Sequence, residues 1–324
     1  MLRGRREVAP VQDEARDVFH HPQPFPGSVR VGVNHAEGGI HRWRLGATRE
    51  GVAITRLLAH NGGMHPPLPF ASDETPAVRP PRLPGRVILR DTADDAIDAV
   101  LADIFMQAMS CVGAFGDFQF AVSVTPAVEP VLRRMLFDLS LRTFPWHKTR
   151  LWLTDEVALP EADPARRGVS LREYMVDQSG IPEEQVHLIE AWKPDAAEAY
   201  ERTLREVLGW REKGHDRLDA VLCSIDDAGA VASGWTGSAS LAAKDTLVVR
   251  DRSAGGVDEV KMSLEFLNAS RMVAVLATGR PVKPALLEIE SAHRAGAAAG
   301  CKVPAGKLSP KGGELRWYLD AESW

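Results

Sequence analysis

The feature that most constrains the fold is a regular alternation of strand-like and helix-like segments that begins near residue 86 and continues to the C-terminus. The strand-like runs are short and rich in Val, Ile and Leu, whereas the segments between them place apolar residues every three or four positions. Asp91 or Thr92, for example, can cap a helix over 93–112. The alternation predicts an α/β fold with a doubly wound, mostly parallel sheet and helices on both faces.

The predicted elements place a candidate site at one edge of this sheet. Strands are predicted over 87–89, 118–124, 150–154, 186–190, 218–225, 245–250, 259–266, 272–278 and 314–319. Helices are predicted over 93–112, 127–142, 169–178, 195–212 and 281–293. Ligands of such folds bind in the loops at the carboxyl ends of the strands. We expect 118–124, 150–154 and 218–225 to be adjacent and parallel, and the loops after them to form the site.

The first 85 residues have a different character. Residues 1–27 are polar and proline-bearing, which predicts a mobile tail. Alternating apolar residues and glycine-marked turns over 28–58 predict a small N-terminal β extension. Seven prolines over 59–85 predict a proline-rich linker, which leaves 86–324 as the α/β domain.

Composition excludes several classes of protein. The net charge of −5 gives no reason to expect a nucleic acid or a membrane surface as a partner. Three cysteines without CxxC spacing argue against a disulfide framework or a metal site, and we expect neither metal nor cofactor. No run approaches 18 apolar residues, so no membrane span is predicted. We expect a cytoplasmic protein.

Six blocks of sequence, in one order along 86–320, carry a resemblance. They read FAVS-TP from Phe120, LWLTDE from Leu151, IPEEQVH from Ile181, the glycine-bearing stretch 218–238, KMSL with LNA and TG-x-x-x-K from Lys261, and GELRWYLD from Gly313. Together they resemble the 6-phosphogluconolactonase family, which shares several of these blocks with the glucosamine-6-phosphate isomerases. The resemblance implies an α/β fold and hydrolysis of 6-phospho-D-glucono-1,5-lactone in the pentose phosphate route.

The resemblance also implies a site, which this chain carries in altered form. A lactonase needs a general base for water and donors for the developing oxyanion. The histidine that serves as the base in the family falls on Ala230. Asp226 or Asp227 could substitute as a carboxylate base, but a solvated loop pair or an Asx turn is the interpretation we favour.

The loop that resembles the phosphate-binding Ser-Gly-Gly-Ser-Thr-Pro segment is two residues shorter and lacks both glycines. Ser123 and Thr125 are its remaining hydroxyl donors. Thr125 could contact substrate or cap the following helix, and the sequence does not decide between the two.

This chain retains only some of the charged residues that the resemblance implies. Asp155 and Glu156 match an Asp-Glu-Arg block in which Val157 replaces the arginine. Arg166 and its neighbour Arg167 could replace the lost charge, although two surface arginines would be the simpler interpretation. By resemblance, two lysines stand at phosphate-binding positions, Lys261 and Lys283. Either lysine could instead lie at the surface.

Three functions follow from this sequence. The first is a 6-phosphogluconolactonase that binds a sugar phosphate, with activity weakened or lost. The second is a non-catalytic relative that binds a sugar phosphate in the old cleft or a protein partner through residues 1–85. An isomerase ranks third, because that branch also needs the loop histidine.

Overall fold

The computed structural model describes residues 79–253, 255–297 and 300–324. The predicted tail over 1–27, the predicted β extension over 28–58 and most of the predicted linker over 59–85 lie outside these residues.

The described residues form ten strands in two sheets. In chain order the strands are β1 Arg86–Arg90, β2 Phe118–Val122, β3 Thr149–Leu153, β4 Asp155–Val157, β5 Val186–His187, β6 Ala220–Ser224, β7 Val248–Arg252, β8 Asp258–Met262, β9 Met272–Ala277 and β10 Glu314–Asp320. Seven of them form a parallel sheet in the order β1-β10-β9-β6-β2-β3-β5.

The predicted adjacency of three strands is confirmed. Strand β2 lies between β3 and β6 and is parallel to both. In the register, Ala121 stands beside Trp152 on one side and Val221 on the other. Because carboxyl ends of parallel strands share an edge, the loops after these strands emerge together.

Helices connect the strands in the α/β manner. They are α1 Ala93–Phe115, α2 Glu129–Phe137, α3 Arg167–Leu171, a π-helical turn Arg172–Val176, α4 Asp177–Ser179, α5 Ala196–Leu208, α6 Ala239–Ala242, α7 Leu264–Leu267 and α8 Lys283–Arg294. Thr92 caps α1, since its side chain accepts a hydrogen bond from the Asp95 N–H. Gly116 ends the helix in the left-handed conformation.

Both faces of the large sheet are covered. Every residue of β2, β6 and β9 is buried, and successive side chains of a strand point to opposite faces. A sheet that is buried on both faces is the doubly wound arrangement expected from the sequence. The largest buried side chains include Trp152, Trp317 and Phe118.

Helix α1 is long and apolar enough, by length and composition alone, to span a membrane. Here it is a core helix. Val100, Ile104 and Ala108 are buried, and the helix packs on strands of the large sheet.

The second sheet was not predicted. Strands β4, β8 and β7 form an antiparallel sheet in that order, and only Thr154 separates β4 from the end of β3. The strand predicted over 259–266 ends at Met262, because Ser263 caps α7 by accepting a hydrogen bond from the Phe266 N–H. The small sheet therefore lies at the carboxyl edge of the large one.

The last residues of the predicted linker, 79–85, lie beside this domain. Leu83 is buried, and the Pro84 carbonyl accepts a 2.8 Å hydrogen bond from Trp317 Nε1. The Arg79 carbonyl accepts a hydrogen bond from Trp324 Nε1.

Candidate active site

The loops after β2, β3 and β6 meet at the carboxyl edge of the large sheet. Ser123 Oγ donates a 2.9 Å hydrogen bond to Asp155 Oδ1 across two loops. Thr125 Oγ1 and Ser224 Oγ lie 2.8 Å apart, which joins the first loop to the third. The loops after these three strands therefore contact one another, as the sequence predicts.

Asp155 has several partners in the site. Its carboxylate is fully buried and accepts hydrogen bonds from the hydroxyls of Ser123, Thr154 and Ser233. Arg167 Nη1 lies 3.1 Å from Asp155 Oδ2. A buried carboxylate is tolerated only when it is paired and hydrogen-bonded, and these contacts meet that condition. They also leave Asp155 little capacity to bind a ligand.

Glu156 is held by backbone. It is fully buried, and its carboxylate accepts hydrogen bonds from the N–H groups of Val157, Arg167 and Gly168, each at 2.8 or 2.9 Å. Burial raises the pKa of Glu156, and the three N–H groups and Arg166 oppose that rise. The carboxylate therefore anchors the start of α3.

The two neighbouring arginines have different partners. Arg166 is largely buried, lies 4.0 Å over the ring of Trp192 and donates to the Glu161 carbonyl. Arg167 instead points toward the centre of the site, where its Nη2 donates a 2.9 Å hydrogen bond to Glu259 Oε1. The interpretation of these two residues as plain surface arginines is wrong, because both are packed against specific partners.

Lys261 is fully buried on β8. Its Nζ lies 2.7 Å from Glu259 Oε2 and 3.7 Å from Asp251 Oδ2, and it donates a 2.9 Å hydrogen bond to the Ser233 carbonyl. The alternative of an ordinary surface lysine is therefore wrong for this residue. Its charge is committed to groups of the protein itself.

The two candidate base carboxylates lie in an exposed turn. Asp226 Oδ1 accepts a 2.7 Å hydrogen bond from the Ala230 N–H, and the two backbones pair as well. Asp227 is also exposed. The Asp226 carboxylate thus supports the turn through the N–H four residues on, which differs from an Asx turn, where the bond goes to the N–H two residues on.

The same loop then passes through an uncommon conformation. Ala232 and Ser233 have φ of 45° and 56°, in the left-handed region that costs a non-glycine residue roughly 1–3 kcal/mol. Contacts to Asp155 and Lys261 hold Ser233 from both its hydroxyl and its carbonyl. The buried charges therefore fix the path of this loop.

Two further predicted residues lie nearer the surface. Thr125 Oγ1 accepts a 3.3 Å hydrogen bond from the Val128 N–H, just before α2, in addition to its contact with Ser224. Lys283 is exposed at the start of α8, and its Nζ donates to the Trp324 carbonyl at 2.8 Å.

Sequence reasoning missed three members of the site, which are Ser233, Asp251 and Glu259. The available signal was the Glu-x-Lys spacing of Glu259 and Lys261, since alternate residues of a strand share one face. Their partners on β7 and in the loop are distant in sequence, and no local pattern links them.

Comparison with known proteins identifies the family. Residues 91–317 match the family model described as glucosamine-6-phosphate isomerases/6-phosphogluconolactonase. The chain belongs to this family. The match covers all the loops described above.

Named relatives are distant from this member of the family. A GDH/6PGL endoplasmic bifunctional protein of Homo sapiens is 27% identical over 241 residues, which cover 72% of this chain and 29% of that protein. A probable 6-phosphogluconolactonase 1 of Oryza sativa subsp. japonica is 27% identical over 218 residues, or 64% of this chain and 73% of that one. The crystal structure of 6-phosphogluconolactonase from Thermotoga maritima has a TM-score of 0.60 at 21% identity and covers 72% of this chain and 99% of that one, which shows the shared fold.

Proposed function

We propose that this chain is a 6-phosphogluconolactonase-like protein of sugar-phosphate metabolism in which hydrolysis of 6-phospho-D-glucono-1,5-lactone is weak or lost. Relatives named as 6-phosphogluconolactonases support the substrate class. The observation that carries the loss is the combination of Ala230 at the histidine position with a fully buried, ion-paired Lys261.

Each of these changes removes one requirement of the reaction. A methyl group at Ala230 cannot accept a proton from water, and a general base is typically worth about 10²–10⁴ in rate. Contacts with Glu259 and Ser233 engage two of the three N–H donors of Lys261, and the side chain is fully buried, so a substrate phosphate has no exposed surface of this lysine to bind. Binding energy from the phosphate normally helps to orient the reacting centre.

The test is lactone hydrolysis by the purified full-length protein, with the spontaneous rate subtracted. We expect a rate near background, and no change in Asp226→Ala or Asp227→Ala. Ala228→Asn, in the same exposed turn, is the matched control for disturbance of the loop. A rate comparable with that of an ordinary 6-phosphogluconolactonase would contradict the proposal. If that rate then collapsed only in Asp227→Ala, this carboxylate would be the substitute base.

A non-catalytic sugar-phosphate-binding protein is the second candidate. The observation that favours it is that Lys283 is exposed and Thr125 is only partly buried, so both can still meet a ligand. Saturable binding of 6-phosphogluconate that weakens in Lys283→Ala, without turnover of the lactone, would support this candidate.

A further inference from the structure

One face of the small sheet is charged and buried. Glu259 and Lys261 share a face of β8, since they are two residues apart on a strand. In the register, Asp155 of β4 stands beside Lys261, and Asp251 of β7 stands beside Glu259. Like charges in directly opposite positions destabilise a sheet, so the Glu259–Asp251 pair requires compensation.

That compensation comes from two cations that converge on Glu259. Arg167 Nη2 donates to Oε1 at 2.9 Å, and Lys261 Nζ lies 2.7 Å from Oε2. The exposed fraction of Glu259 is 1%. Proteins often bind a carboxylate or a phosphate through an arginine and a lysine that both contact the anion.

The Glu259 carboxylate does not form a regular hydrogen bond with every donor that the two cations present. Arg167 Nη1 is buried and forms an ion pair with Asp155 Oδ2 at 3.1 Å, but among the residues that the structure describes it donates no hydrogen bond of regular geometry. The contact of Glu259 Oε2 with Lys261 is a close ion pair, but Oε2 has no partner within hydrogen-bond geometry in the same part of the chain. A tetrahedral oxyanion presents more acceptor oxygens than a carboxylate and could meet donors that Glu259 leaves unused.

We propose that Arg167 and Lys261 form an anion site that the chain fills with its own Glu259 carboxylate. The ligand class is a small oxyanion such as phosphate, which the native side chain excludes and which enters when that side chain is removed. This inference rests on the proposed function, because it identifies the Glu259 carboxylate as the group that keeps a substrate phosphate away from Lys261.

The experiment compares full-length Glu259→Ala with the wild-type protein in inorganic phosphate, at constant ionic strength set with sodium chloride. We expect saturable phosphate binding to the variant, with a rise of several degrees in Tm at about 100 times Kd. The wild-type Tm should show no such rise. Glu259→Ala combined with Lys261→Met should lose the response.

Asp258→Ala is the matched control, because Asp258 is the neighbouring acid on β8 and pairs with the exposed Arg252. It should behave as the wild type does. Should Glu259→Ala fail to fold, Glu259→Ser decides the outcome, since serine also removes the charge and vacates most of the volume but keeps a hydroxyl that can bond to the neighbouring donors. A folded variant whose Tm does not change with phosphate would overturn the inference. Wild-type protein that binds phosphate as well as the variant does would also overturn it. This experiment measures phosphate binding and not lactone hydrolysis. Either result therefore leaves the proposed function to be tested separately by the lactone assay.

Discussion

Gly229 fixes the turn that precedes the position of the family's histidine. Its φ is +71°, and a Cβ built there would lie 2.1 Å from Val303 Cγ1. Gly229→Ala should therefore lower the free energy of unfolding by about 1–2 kcal/mol for the left-handed backbone and by about 1–3 kcal/mol more for the clash. Urea denaturation measures the loss. Gly214→Ala has a φ of +91° but open space around it, so it isolates the backbone cost. Equal losses in the two variants would show that contact with Val303 does not constrain the loop.

His187 makes stability depend on pH. Its ring stacks on Trp152 with centroids 3.8 Å apart, and burial, assisted by Arg150, lowers its pKa from 6.5 to about 4. The unfolded imidazole binds a proton below pH 6.5, whereas the folded one resists protonation until about pH 4. Its contribution is therefore complete above pH 6.5 and declines as the pH falls through this window, by about 3 kcal/mol in total.

The check is a set of urea denaturation curves between pH 7 and pH 4 for the wild type and His187→Gln. The variant should show a shallower loss of stability over this range. His147→Gln is the matched control, because His147 is exposed on the segment before β3. Parallel stability curves for wild type and His187→Gln would mean that this imidazole is not the group responsible.

The site could be predicted only in part, and the two arginines show why. Composition and resemblance drew attention to Arg166 as replacement charge, but which of two neighbouring side chains points inward depends on the backbone at the start of α3. Glu156 sets that backbone by accepting the N–H groups of Arg167 and Gly168. Such an anchor forms only in the folded chain, so no sequence pattern reports it.

At the scale of the element, β8 carries buried charges that stabilise one another. Removing one of them leaves another buried charge without its partner. Lys261→Met should cost about 3–5 kcal/mol of unfolding free energy, because it leaves Glu259 buried beside Asp251 with one cation fewer. The double variant Glu259→Met/Lys261→Met should lose less than the sum of its two single variants. Chemical denaturation of the four proteins gives the coupling energy.

An exposed pair nearby provides the comparison for that cycle. Arg252 and Asp258 lie 3.0 Å apart, with both side chains more than half exposed. Arg252→Met should cost at most about 1 kcal/mol. Additive losses at Glu259 and Lys261 would show that their 2.7 Å contact contributes no coupling and that the buried face is stabilised in another way.

The elements of the large sheet could be predicted because their signal is local. Every predicted strand of that sheet is present, with ends that differ by a few residues. The small sheet was missed because β4 has only three residues and directly follows β3. A three-residue strand has no periodicity to detect, and its pairing with β8 joins segments about a hundred residues apart, which only the tertiary fold brings together.

At the scale of the whole molecule, the α/β domain holds its own core. The buried hydrophobic cluster of the described residues runs from Leu83 to Leu319 and includes both faces of the large sheet. The first described residues that contact this unit include Arg79, Arg82, Leu83 and Pro84. A cut at residue 85, the predicted boundary, would therefore remove these contacts.

A fragment of residues 79–324 should fold in the same way as the complete chain. It keeps the contacts of Arg79 with Trp324 and of Pro84 with Trp317, together with the whole described core. We expect the same far-ultraviolet circular dichroism signal per structured residue and a urea midpoint that corresponds to a change below about 1 kcal/mol, since no described core contact is removed. A second fragment, 86–324, is the control that lacks Leu83 and the Pro84 carbonyl, and it should be measurably less stable. If the 79–324 fragment aggregates or unfolds without cooperativity, the α/β domain requires residues that precede it, and the division of the chain near residue 79 is wrong.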